Sequence, residues 1–235
     1  MIMLINIDNF MILMFNFKND LKYVMIYGKS FYLWRENMDK MLLEMEEYAK
    51  VNRVPIMICD GIEYLCNYIK NNNIKRILEI GSAIGYSAIR MALVNDDIFI
   101  TTIEKDSDRY TMAVDNIKKF NLNNRIDIIY GDALDVSVEG EFDLLFIDAS
   151  KGHNIDFFKK YSKNLSKHGI IITDNLSFHG LVSDESLVKT RNQRGIVRKI
   201  KEFKEFLDNN LEYITEYISC GDGISISYRK EEGNE

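Results

Sequence analysis

From Ile74 onward the chain alternates short apolar runs with longer stretches of helical periodicity. The runs 76–80, 98–103, 126–130, 142–147 and 169–173 are short and almost continuously apolar, as strands buried on both faces of a parallel sheet are. The segments 86–93, 108–120 and 155–165 between them, and a long basic stretch over 185–209, carry helical spacing. Two last strands over 213–219 and 224–228 flank Cys220-Gly221-Asp222-Gly223, a hairpin signal. The pattern predicts one α/β domain: a doubly wound, seven-stranded, mostly parallel sheet with an antiparallel C-terminal strand and helices on both faces. Two amphipathic helices precede the sheet. One covers 32–50 with Met38, Met41, Leu42, Met45 and Tyr48 inward, and one covers 57–72 with Ile58, Ile62, Leu65 and Ile69 inward. They are expected to cap the ligand end of the sheet.

The ends depart from this pattern. Residues 1–17 are rich in Met, Ile, Leu and Phe but broken by Asn6, Asp8, Asn9 and Asn16. A signal peptide opens on positive charge and a membrane span needs about 20 apolar residues, so neither fits. Residues 1–24 are therefore read as an extension outside the core, with Met25 as a possible functional start, or alternatively as an extra packed helix. The domain proper is expected over 25–230, with 231–235 a frayed tail. Composition changes little: 46% hydrophobic and 28% charged residues suit a globular protein. The net charge of -6 means that any surface for nucleic acid must be a local patch. The three cysteines show no metal-type spacing and point to a reducing, cytoplasmic setting with no membrane partner.

Candidate chemistry concentrates at the ends of the predicted strands. Ile77–Ile80 runs into Gly81-Ser82-Ala83-Ile84-Gly85 and then a helix. Such a turn lets backbone approach a ligand at the carboxyl end of a sheet. The dinucleotide fingerprint G-x-G-x-x-G is absent, because Ala83 stands where the middle glycine would make room for a pyrophosphate. The spacing suits a nucleoside. Glu104 closes the second strand, where a carboxylate can accept both ribose hydroxyls, and Asp132 closes the third, where it can accept from an adenine amino group.

Asp148 ends the fourth strand, and Asp174-Asn175 ends the fifth. Neighbouring strands lie about 4.8 Å apart, so these three side chains can converge. Three hard oxygen ligands select a Mg²⁺-like cation over zinc. Lys151 follows Asp148 by three residues and could take a proton from a cation-bound hydroxyl, although a surface lysine is an equal reading. His153, His168 and His179 have no ligand spacing.

The series E-I-G-S-A-I-G-Y-S, I-E, G-D-A, F-I-D-A-S-K and T-D-N, in this order over about Tyr32 to Arg229, resembles the divalent-metal-dependent O-methyltransferases related to catechol and caffeoyl-CoA O-methyltransferases. The resemblance implies the Rossmann-like fold of the S-adenosylmethionine (SAM) methyltransferases, and homodimers. It implies cofactor contacts from Met57, Glu79, Gly81, Ser87, Glu104, Asp132, Ala133 and Asp148. The implied ligands of Mg²⁺, or of Mn²⁺ or Ca²⁺, are Asp148, Asp174 and Asn175, with Lys151 matching the family's proposed base. Within the family, 174–182 and 191–199 look like the bacterial branch that methylates 5-hydroxyuridine at the tRNA wobble position. Lys189, Arg191, Arg194, Arg198, Lys199 and Lys201 crowd six positive charges into thirteen residues. With Lys151, they could neutralise phosphates of an anticodon loop, with Phe178 or Tyr86 stacking the base. The expectation is a tRNA O-methyltransferase. Its rivals are the same chemistry on a small catechol-like or phenolic molecule, and a catalytically silent RNA-binding protein that keeps SAM as a structural ligand.

Overall fold

The computed structural model describes the backbone of residues 2–7, 10–17, 20–57 and 59–230, and side chains over 37–230 except residues 58 and 185. The chain forms two compact units divided between Arg53 and Val54.

The first unit is a three-stranded antiparallel meander, β1 (Ile2–Ile7), β2 (Phe10–Phe17) and β3 (Asp20–Gly28), followed by helix α1 (Lys29–Asn52). The helix considered for residues 1–24 is therefore replaced by strands, and the boundary expected after residue 24 falls inside β3. The reason is legible afterwards. Asn6 and Asn16 lie inside β1 and β2, where they pair with Met11 and Leu21, so these polar positions do not interrupt the strands.

The second unit opens with α2 (Cys59–Asn71), whose Ile62, Leu65 and Ile69 are buried as the periodicity predicts; Ile58 lies outside the described side chains, as does the tail 231–235. α2 packs beside α3 (Tyr86–Ala92), and within this unit it is the approach segment Pro55–Met57 that borders the ligand end of the sheet. The sheet then builds from β4 (Arg76–Ile80), β5 (Phe99–Glu104), β6 (Ile126–Tyr130), β7 (Phe142–Ile147), β8 (Leu165–Thr173), β9 (Tyr213–Ile218) and β10 (Ile224–Arg229). Their spatial order is β6-β5-β4-β7-β8-β10-β9, and β10 is antiparallel to both of its neighbours. Helices α4 (Ser107–Lys119), α5 (Asn154–Tyr161) and α6 (Arg191–Asp208) complete the layers.

Side-chain alternation assigns the two faces. Leu78 and Ile80 join a core with Phe157, Phe158 and Tyr161 of α5 and Ile200, Phe203 and Leu207 of α6. Glu79 points the other way, where it meets Ser87 of α3.

The boundaries differ most from the pattern at three places. β8 begins at Leu165, which pairs with Phe142; the register then shifts, and Ser166-Lys167-His168 run as strand between that pair and the pairing of Ile170 with Leu144. Gly169 permits this, since a Cβ there would come within 2.8 Å of the Phe142 carbonyl. α5 consequently stops at Tyr161. α6 starts at Arg191 and not at 185, because Thr190 and Gln193 form a reciprocal capping box.

Candidate active site

Strand register builds the site. Ile80 pairs with both Ile103 and Ile147, and Ile147 pairs with Thr173, so four strand ends finish level. The ladder then runs one step further. The Gly81 N–H donates to Ile103, Asp148 to Ile80, Asp174 to Ile147 and Gly131 to Glu104. Chain order reverses on either side of β4, and this is the crevice where doubly wound sheets bind ligands.

A cavity of about 390 Å³ opens there, within the range of small-molecule sites. Met57, Gly81, Ser87, Glu104, Asp132, Ala133, Asp148, Lys151 and Asn175 all border it. Gly81 has φ +95, and a Cβ on it would stand 2.7 Å from the Asp148 carbonyl, so this turn needs glycine. Glu104 Oε2 accepts the Ala83 N–H and Oε1 accepts the Asp106 N–H, each at 2.8 Å. That fixes the carboxylate on the cavity wall and leaves each oxygen a further lone pair. Asp132 accepts the Leu134 N–H at 2.9 Å and faces Lys105 at 3.4 Å, and the first of these holds its carboxyl below the usual range.

Glu79 does not border the cavity. It is completely buried, and its two oxygens accept the Ser87 and Thr102 hydroxyls at 2.5 Å each. Burial pushes its carboxyl up to about 7 against these two donors. It ties β4 to the first turn of α3 and to β5, where the resemblance implied a direct cofactor contact. Thr102 was missed by the motif reading, yet it sits opposite Glu79 in the β4–β5 register, a polar pair inside two apolar strands.

The acid pair closes the other end. Asn175 Nδ2 donates to Asp148 Oδ1 at 3.1 Å and to Asp174 Oδ2 at 2.8 Å, so the three groups do converge. Lys151 Nζ lies 3.4 Å from Asp148 Oδ1, and both side chains are 16% exposed. Burial raises both acids, with the Asp148 charge adding to the rise at Asp174. Asp174 Oδ1 is buried and has no partner. Two adjoining carboxylates, the buried Asp174 with an orphaned oxygen and the partly buried Asp148, fit a hard divalent cation, and exchanging the Asn175 amide N and O would present three oxygens to it. Asn175 itself holds a left-handed φ of 68, as do Phe178 and His179 after it.

Lys151 also borders a second, more open groove of about 750 Å³ lined with Arg191, Arg198 and Lys199. Arg194 is not among its lining residues. The groove's charge is partly compensated, because Glu202 faces Arg198 at 3.5 Å and Lys199 at 2.9 Å. Arg109 and Phe157, which carried no motif, complete the cavity wall.

Fold and site together define a doubly wound α/β enzyme with a nucleoside-sized cavity abutting an acid pair. The comparisons name the family: residues 35–230 match the O-methyltransferase family model, and the chain belongs to that family. It is 30% identical to a caffeoyl-CoA O-methyltransferase of Populus kitakamiensis over 87% of this chain and 91% of that one. A Staphylococcus aureus structure, provisionally described as a caffeoyl-CoA O-methyltransferase, superposes with TM-score 0.77 at 36% identity, covering 85% of this chain and 98% of the other. An O-methyltransferase of Bacillus cereus, solved with S-adenosylhomocysteine, gives TM-score 0.69 at 25% identity over 81% and 91%. Among the described residues no helix is long and apolar enough to cross a membrane.

Proposed function

We propose that this protein transfers the methyl group of SAM to the hydroxyl of a phenol-like small molecule, assisted by a divalent cation. The observation that carries the reading is the level alignment of the Gly81–Gly85 turn, Glu104 and the Asp148–Asp174–Asn175 cluster along one sheet edge. The cofactor-bound relative and the caffeoyl-CoA relatives support it. SAM supplies an electrophilic methyl on a positively charged sulfur. A cation at the three oxygens supplies a lowered pKa for the acceptor hydroxyl.

The chain's own residues do the rest. Glu104 would receive the ribose hydroxyls and Asp132 the adenine amino group, and the Gly81 backbone would make room for the cofactor's amino-acid end. Asp148, Asp174 and Asn175 fix the acceptor end, and Lys151 Nζ stands beside Asp148 to take up the hydroxyl proton. These residues would hold the acceptor oxygen in line with the SAM methyl group, so that positioning would carry much of the rate.

A second reading, methylation of 5-hydroxyuridine in a tRNA anticodon loop, is favoured by one observation: the basic groove meets the cavity at Lys151. Labelled SAM offered with catechol or caffeoyl acceptors, and separately with tRNA carrying 5-hydroxyuridine, each with and without EDTA, tests both. Label in the phenol that EDTA abolishes is expected. Label in tRNA alone would overturn the first reading in favour of the second, and Asp148→Ala without loss of either activity would sink both.

A further inference from the structure

The turn Cys220–Gly223 between β9 and β10 reads in sequence as a hairpin and nothing more. In the fold it is wedged against the loop that follows β8. The Asp222 carbonyl accepts the Ser177 N–H at 2.7 Å and the Gly223 carbonyl accepts the Leu176 N–H at 2.9 Å. A Cβ on Gly223 would stand 2.5 Å from Ser177 Oγ. On the turn's other side the Gly221 N–H donates to Asp60 Oδ2 at the start of α2.

Asp222 is the residue this packing leaves unexplained. It is 5% exposed. Its Oδ1 accepts the His179 N–H at 2.6 Å, whereas its Oδ2 is buried without a partner. A buried carboxylate oxygen left without a partner is costly, so a donor or cation is expected beside it. Asp174 carries the same deficit at Oδ1, and the Asp222 and Gly223 carbonyls hold Ser177 and Leu176, so the turn that bears Asp222 abuts the chain directly after Asp174 and Asn175.

We propose that Asp222 is a positioning residue of the cation site: it pins the Asn175–His179 loop through the His179 N–H, and its unpaired oxygen accepts a hydrogen bond from a water that a divalent cation at Asp148, Asp174 and Asn175 brings with it. This rests on the cation reading above. Magnesium-like ions retain several waters, and the groups that receive them tune affinity nearly as strongly as the ligands do.

The test is direct Mn²⁺ titration of the full chain, read by the electron paramagnetic resonance of free Mn²⁺. Asp222→Asn keeps an acceptor for the His179 N–H but places an amide NH₂, which cannot accept, where the free oxygen stood. Asp222→Ser removes that oxygen altogether and guards against a folding defect in the first variant. Both are expected to bind Mn²⁺ about 10- to 100-fold more weakly. Labelled-SAM binding in EDTA should stay within about twofold of the parent. A lowered Tm with unchanged Mn²⁺ affinity would show that Asp222 only supports the loop, and it overturns the proposal alone. Failure of the parent protein to take up Mn²⁺ overturns the proposal together with the cation reading.

Discussion

Glu79 shows what a single residue owes to its register. Strand alternation turns it away from the cavity, and the β4–β5 pairing brings Thr102 against it while α3 supplies Ser87. The folded chain keeps its proton up to about pH 7, whereas the unfolded chain releases it near 4.5. Between those values the folded state binds more protons, so stability falls as pH rises, by about 3 kcal/mol across the window for the cofactor-free protein. Asp174 adds a slope of the same sign. Glu79→Gln therefore isolates the Glu79 share: urea unfolding at pH 4.5 and 7.5 should show a smaller drop in the variant than in the parent. Equal drops would mean that Glu79 is ionised in the fold. The acid itself was legible in E-x-G-x-x-x-G; its role as a brace was not, because one sequence does not reveal which face of a strand meets which helix.

Among the elements, α6 is the one whose start the chain announces most clearly. Thr190 and Gln193 satisfy each other's backbone N–H groups, and the helix begins at Arg191, so the first basic residue stands on the groove. Thr190→Ala removes one capping bond and should cost about 1 kcal/mol, seen as a fall in Tm of about 2–4 °C, with neutral-phenol turnover nearly unchanged. No change in Tm would indicate that tertiary contacts of Val197, Ile200 and Phe203 alone hold the helix. The same Thr-x-x-Gln was available in the sequence, yet helical periodicity over 185–209 outweighed it. β8 was misjudged for the opposite reason. Its first pair, Leu165 with Phe142, is cut off from the apolar run by three polar residues, and only the close approach permitted by Gly169 shows that it forms.

At the scale of the molecule, charge and chemistry are segregated around Lys151, which borders both the cavity and the basic groove. Replacing Arg191 and Arg198 together with Gln should raise KM for a phosphate-bearing acceptor by at least about tenfold, since charge-assisted hydrogen bonds contribute about 1.5–3 kcal/mol each. Turnover of an uncharged phenol should stay within about threefold. Steady-state kinetics on the two acceptor types decides it, and an equal loss for both would make the groove part of the catalytic wall. By itself the sequence determined the order of strands and helices from Ile74 onward, the glycine turn and the candidate acids, because apolar periodicity and backbone-demanding glycines are local properties. It also placed the groove's cations, but not Glu202, which partly neutralises them from the next turn of the same helix. Only the tertiary structure decided which side of each strand faces a helix and which side a cavity. Only the fold brought Asp222 from the last hairpin to the loop after β8. Such pairings follow from sheet register and layer packing, which join residues far apart in the chain and leave no mark in their spacing.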